Sequence, residues 1–131
     1  MSFTIIVDDL MLIHDFFLVN RDDLKFDDLS VALIDKEKVL KEIKISDDFI
    51  LENHTVFLGD NALFSSSFHT ELDTRIKRGL CYYGPTVLCG KDIDEFLSAL
   101  DKISDCREKK ILSEFSRSAI QKGCCIVHFG V

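Results

Sequence analysis

Apolar positions recur along this chain in short runs broken by aspartate pairs, and their spacing becomes clearly helical only in the second half. Phe3 to Val7 is a β-branched run that predicts a buried strand. Asp8 or Asp9 can then cap a helix to about Asn20, with Leu10, Ile13, Phe16 and Phe17 on one face. That segment is apolar enough for a second strand, and helix is the preferred of the two readings. Ser30 to Ile34 and Val39 to Ile45, joined by the polar turn Asp35-Lys36-Glu37-Lys38, predict a β-hairpin. A helix is the rival there, because Leu33, Glu37, Leu40 and Lys44 include helix formers. Phe49 to Leu51 and Thr55 to Leu58 predict short strands, and Gly59-Asp60-Asn61 a turn.

Beyond that turn, Phe68 to Arg78 predicts a helix stopped by Gly79 after the basic last turn Arg75, Lys77 and Arg78. Leu80 to Tyr83 and Thr86 to Leu88 are extended, with Gly84-Pro85 as the bend between them. Asp92 with Glu95 has the spacing of a capping box, opening a helix over 92–104 that buries Ile93, Phe96, Leu97, Leu100 and Ile103. Arg107 to Lys122 predicts a second helix, with Ile111, Leu112, Phe115 and Ala119 inward and Gly123 at its end. Cys124 to Phe129 predicts a final strand. These elements imply one α+β domain over residues 1–131, an antiparallel or mixed sheet with helices packed mainly on one side.

Composition narrows the class. One proline and six glycines in 131 residues leave little room for a long flexible region. Eleven phenylalanines against two tyrosines point to aromatic side chains used mainly to fill a core. No apolar stretch reaches the roughly 18 residues of a membrane span, and Met1-Ser2-Phe3-Thr4 lacks the basic start of a signal peptide. Cys81, Cys89, Cys106, Cys124 and Cys125 are therefore expected as reduced thiols in the cytoplasm.

The net charge of −7 is unevenly placed. Residues 1–60 hold fourteen acidic and six basic side chains, whereas residues 61–131 hold nine and ten. The excess lies largely in Asp8-Asp9, Asp22-Asp23, Asp27-Asp28 and Asp47-Asp48. Such charge repels nucleic acid and anionic membranes and attracts basic proteins.

Candidate chemistry is sparse. Cys81 and Cys89 are eight apart, adjacent Cys124 and Cys125 would face opposite sides of a strand, and His14, His54, His69 and His128 are scattered. None of this is zinc-ligand spacing, and no cofactor motif is present. Cys89, just ahead of a predicted helix start, could be a nucleophile with His69 or His128 as base, but a small apolar residue at a strand end is the simpler reading. Asp22 to Asp28 lacks the alternation and the glycine of a calcium loop. Ser65-Ser66-Ser67 lacks a Gly-x-Ser-x-Gly frame, and the glycines are too dispersed to cradle a phosphate. A solvating role explains a general acidic excess. Carboxylates interleaved with Leu24, Phe26 and Leu29, however, suit a surface that steers a basic partner.

The segment Leu80-Cys81-Tyr82-Tyr83-Gly84-Pro85-Thr86-Val87-Leu88, followed by the helix at 92–104, resembles bacterial immunity proteins encoded beside polymorphic toxins, in particular those of contact-dependent growth inhibition systems. There a Tyr-Gly-x-Thr-aliphatic strand commonly leads into a helix. The likeness covers about a third of the chain and carries no chemistry. It implies a cytoplasmic α+β protein, not an enzyme, that binds a toxin nuclease domain and blocks its active site. Charge alone, not the motif, nominates Asp22, Asp23, Asp27 and Asp28 as central contacts, with Asp47 and Asp48 at the rim. The alternatives are a small cytosolic enzyme with a Cys/His or Asp site, or an adaptor for another basic protein.

Overall fold

The computed structural model describes residues 12–24, 36–59, 61–69 and 78–131. Ile13–Asn20 forms strand β1, flanked by Val39–Ser46 (β2) on one side and Cys124–Phe129 (β5) on the other. Pro85–Leu88 (β4) lies beyond β5, and the two-residue strand Phe68–His69 (β3) completes the order β2-β1-β5-β4-β3. All four pairings are antiparallel. Helices Asp47–Glu52 (α1), His54–Phe57 (α2), Lys91–Leu100 (α3) and Arg107–Lys122 (α4) contribute their buried residues to one large cluster. The fold is α+β, with the helices on one face of the sheet.

The pleat sorts the strand residues between two clusters. Phe16, Leu18, Ile45, Leu88, Cys124 and Ile126 face the helices, packing with Phe49, Phe57, Phe96, Leu112 and Phe115. Val19, Val87, Cys89, Cys125 and Val127 form a second cluster on the opposite face, with Phe17, Val39 and Phe129 packed against it. Both faces of β1 are thus apolar. This is why residues 13–20 form a strand where a helix was preferred: burial on both sides hides the period of two.

Three further expectations are corrected. Phe49 to Leu51 and Thr55 to Leu58 are helical through Phe57, not extended. Ser46 caps α1, accepting from the Phe49 N–H, and Phe49 and Ile50 are buried while Leu51 turns outward. Runs of three or four apolar residues are too short to distinguish the two periods. A helix beginning at Phe68 is also absent, because residues 68–69 pair with β4; its predicted course over 70–77 lies outside the described residues. Third, the reduced state expected for all five cysteines does not hold: Cys89 and Cys125 are joined, their Cα atoms 4.6 Å apart. The β4–β5 register pairs Leu88 with Ile126, so the next residues, Cys89 and Cys125, stand directly opposite on the face away from the helices.

Other expectations stand or fall outside the described residues. β2 forms from Val39 as predicted, but its observed partner is β1; Ser30 to Ile34 lie outside, as do Phe3 to Val7. A bulge between Leu18 and Val19 skips Leu40, which is left exposed. α4 matches its predicted span and ends at Gly123, which takes the left-handed φ of 64°. α3 starts at Lys91 and ends at Leu100, shorter than predicted, with Gly90 and not Asp92 as its N-cap. Beyond β5, Gly130 donates to the Gly84 carbonyl and passes so close to the Tyr82 carbonyl that a Cβ there would collide with its oxygen. That contact fixes the segment 80–84 against the C-terminal strand.

Candidate functional site

The turn from β2 into α1 serves two polar sites at once. Asp47 and Asp48 occupy the first turn of α1, where carboxylates meet the positive end of the helix dipole. The Asp47 N–H donates to the Leu12 carbonyl at 3.0 Å, continuing the β1–β2 ladder by one residue. This turns the Asp47 side chain inward and leaves Asp48 exposed.

Inside, Asp47 meets His14. The His14 Nε2–H donates to Asp47 Oδ1 at 2.8 Å, and the Tyr82 hydroxyl donates to Oδ2 at 2.8 Å. His14 Nδ1 lies 2.8 Å from His128 Nε2, with the rings nearly parallel at 15°. Register explains the meeting: Phe16 pairs with His128, so His14, two residues earlier on the same face, is the diagonal neighbour. Both imidazoles are fully buried and Asp47 is 7% exposed. Loss of water contact, then donation to Asp47 and that carboxylate's charge, push the Tyr82 phenol up to about 12. Carboxylate, imidazole and phenol are acid–base groups, but these imidazoles are shielded from solvent and act on each other and on Asp47. The network joins β1, β5, α1 and the segment 80–84.

Outside, α1 forms one wall of a groove of about 490 Å³. Asp48 and Glu52 line it from α1, and Ile103, Asp105, Cys106 and Glu108 line it from the α3–α4 connection and the start of α4. No lysine or arginine is among its described lining residues. Asp105 is partly balanced by Lys109, 3.0 Å away, which also donates to the Ile103 carbonyl. Asp48 and Glu108 each lie in a first helical turn, so part of their charge answers a helix dipole. A concave, net negative surface remains.

A third cluster holds the start of α3. Asp92 accepts from the Ser65 and Ser67 hydroxyls and, at 3.1 Å, from the Cys89 N–H. Glu95 accepts from the Ser65 N–H at 2.8 Å and from its hydroxyl at 3.0 Å. The Ser65 backbone donor, outweighing partial burial, together with the hydroxyl and the nearby Arg78 and Lys91, lowers the Glu95 carboxyl below its ordinary range. The expected capping box is therefore not made; both carboxylates tie the 65–67 segment to α3 instead.

The four described residues among the nominated aspartates do not form one face. Asp22 and Asp23 follow β1 in a short 3-10 turn; Asp22 is exposed, and Asp23 lies 3.7 Å from Lys38. Asp27 and Asp28 lie outside the described residues. Asp47 is not a rim contact, because burial and its bonds to His14 and Tyr82 commit it inward. Asp48 alone of the described four lines the groove. The two aspartate pairs sit at opposite ends of the eight-residue β1–β2 ladder, roughly 25 Å apart at the usual rise of a strand.

Reading charge by chain halves missed Glu52, Asp105 and Glu108. Glu52 lies one turn after Asp48, a pattern visible once residues 47–52 are taken as helix. Nothing local brings Asp105 and Glu108 to the same groove. The Cys89 enzyme reading loses its thiol to Cys125, and its candidate base His128 faces the helix side of the sheet, away from Cys89. Among the described residues no three His, Cys, Asp or Glu side chains converge to hold a metal ion, and no helix is long and apolar enough to cross a membrane. The chain matches no protein-family model, no curated protein and no solved structure.

Proposed function

We propose that this protein is a non-enzymatic inhibitor that binds a basic protein partner through the groove between α1 and the start of α4, as an immunity protein binds its cognate toxin. The observation that supports this is the groove wall itself: Asp48, Glu52, Asp105 and Glu108 surround a concavity with Lys109 beside it as partial counter-charge. A nuclease toxin holds phosphates with lysines and arginines, and those side chains fit a concave carboxylate surface in place of substrate. Opposite charge also speeds encounter above the neutral range of about 10⁵–10⁶ M⁻¹s⁻¹. The same negative surface disfavours direct contact with nucleic acid. Asp22 and Asp23, at the far end of the ladder, add to the long-range attraction without sharing the groove.

The test is a calorimetric titration, at low and moderate salt, against a basic protein recovered by pull-down with this chain. Asp48→Lys combined with Glu52→Lys should weaken binding by about 100-fold and flatten its salt dependence. Circular dichroism must show the variant folded. A folded variant with the affinity and salt slope of the parent removes the groove from the interface.

A further inference from the structure

β2 is a long edge of the sheet. It spans Val39–Ser46 and pairs with β1 on one side, and among the described residues no strand pairs with its other side. The opposite edge, β3, has only two residues. The Asp47 N–H bonds to the Leu12 carbonyl beside the ladder, so Ile45 and Ile43, two and four residues earlier, also turn their main-chain groups to β1. Lys44 and Glu42, in between, turn theirs outward. Because Ile43 and Ile45 pack toward the helices, the side chains of Glu42 and Lys44 lie on the other face. There the Lys44 ammonium sits 2.7 Å from Asp15 Oδ1 and 3.0 Å from Glu42 Oε1. Two carboxylates share one ammonium.

Outward main-chain groups on a strand of this length are a template for another strand. Charged side chains along such an edge discourage most pairings, so their order decides which strand fits. A second β2, run antiparallel about a two-fold axis at Ile43, sets each Glu42 opposite Lys44 of the other copy. Every Glu42 then has an ammonium directly across from it, besides the one it shares with Asp15. Ile43, half-buried against the main core, meets its own copy, and Lys41 falls opposite Ile45. Moving the axis by one residue either way opposes Glu42 to Glu42 or Lys44 to Lys44.

The apolar surface agrees with this register. Leu40 and Ile13 are large side chains left 49% and 37% exposed. Leu40 comes opposite Ser46 of the second copy, a small residue whose β1 neighbour is Ile13. The pairing therefore gathers the two exposed side chains into one patch. We infer that β2 is a homodimer interface, at which two copies of this chain join edge to edge through antiparallel β2 strands centred on Ile43. The dimer does not depend on the function proposed above.

Sedimentation velocity at protein concentrations from about 1 to about 100 μM tests the interface. The parent should move to twice the mass of one chain as concentration rises. A monomer throughout leaves the edge to a strand from another protein and overturns the proposal. Glu42→Lys and Lys44→Glu each oppose like charges in both cross-strand pairs, and each should weaken self-association at least about tenfold. Mixing the two variants makes both pairs attractive again and should restore a dimer containing one of each. Self-association that ignores both substitutions, or a mixture that stays monomeric, overturns the proposal equally. Both side chains are exposed, and circular dichroism checks that each variant folds. If one does not, hydrogen exchange of the parent decides: the Glu42 and Lys44 amides should be protected at the high concentration and exchange freely at the low one. Exchange independent of concentration overturns the interface.

Discussion

At the scale of single residues, the most informative positions are carboxylates whose neighbours in sequence suggest one role and whose neighbours in space assign another. Asp47 and Asp48 are identical and adjacent, yet one is sealed against His14 and Tyr82 while the other faces a groove. Asp92 and Glu95 have capping-box spacing but bind Ser65 and Ser67 across 25 to 30 residues of chain. Glu95 gives a pH prediction with a definite sign. Its folded carboxyl is held below the ordinary glutamate value, so its contribution is present above that value and is lost as pH falls through the lowered one. Acid unfolding of Glu95→Gln followed by circular dichroism should show a shallower decline below about pH 4.3 than the parent, because the variant has no proton to take up. Superimposable acid limbs would deny Glu95 this role.

At the scale of elements, long periodic segments were legible and short or doubly buried ones were not. α4 shows its 3–4 spacing over sixteen residues with a left-handed glycine at its end, and it forms as predicted. α1 and α2 hold six and four residues, less than two turns each, so only the Ser46 cap marked the first as helical. β1 lacked polar alternation because both its faces are covered. α3 is held where these elements meet. Phe96 is fully buried, with Phe64, Phe57 and Phe16 ring centroids 4.8, 6.1 and 6.4 Å away. Phe96→Ala should cost about 3–5 kcal/mol in urea unfolding, from lost burial plus the cavity left among rings that cannot collapse inward. A loss below about 1 kcal/mol would mean that the aromatic cluster closes over the gap.

At the scale of the molecule, one covalent link and one surface were decided by strands and helices distant in sequence. The Cys89–Cys125 bond closes a loop 36 residues long and pins β4 to β5 on the face away from the helices. By loop-closure entropy, Cys89→Ala with Cys125→Ala should lower unfolding free energy by about 4 kcal/mol at most. Equal stability of the variant and the oxidised parent would mean that packing alone holds that edge. The acidic groove likewise exists only because α1, from the acidic half of the chain, packs beside the start of α4, from the neutral half. What the residues determined by themselves was the α+β class, the long helix, the last strand, the facing of Cys124 and Cys125 to opposite sides, and an overall negative potential. Those properties follow from local periodicity, capping and charge, which need no knowledge of distant partners. Tertiary structure decided which aspartates meet solvent, that two histidines 114 residues apart share a hydrogen bond, and that two cysteines stand opposite across a ladder. Each depends on strand register and helix packing, in which a shift of one residue would send the side chain to the other face.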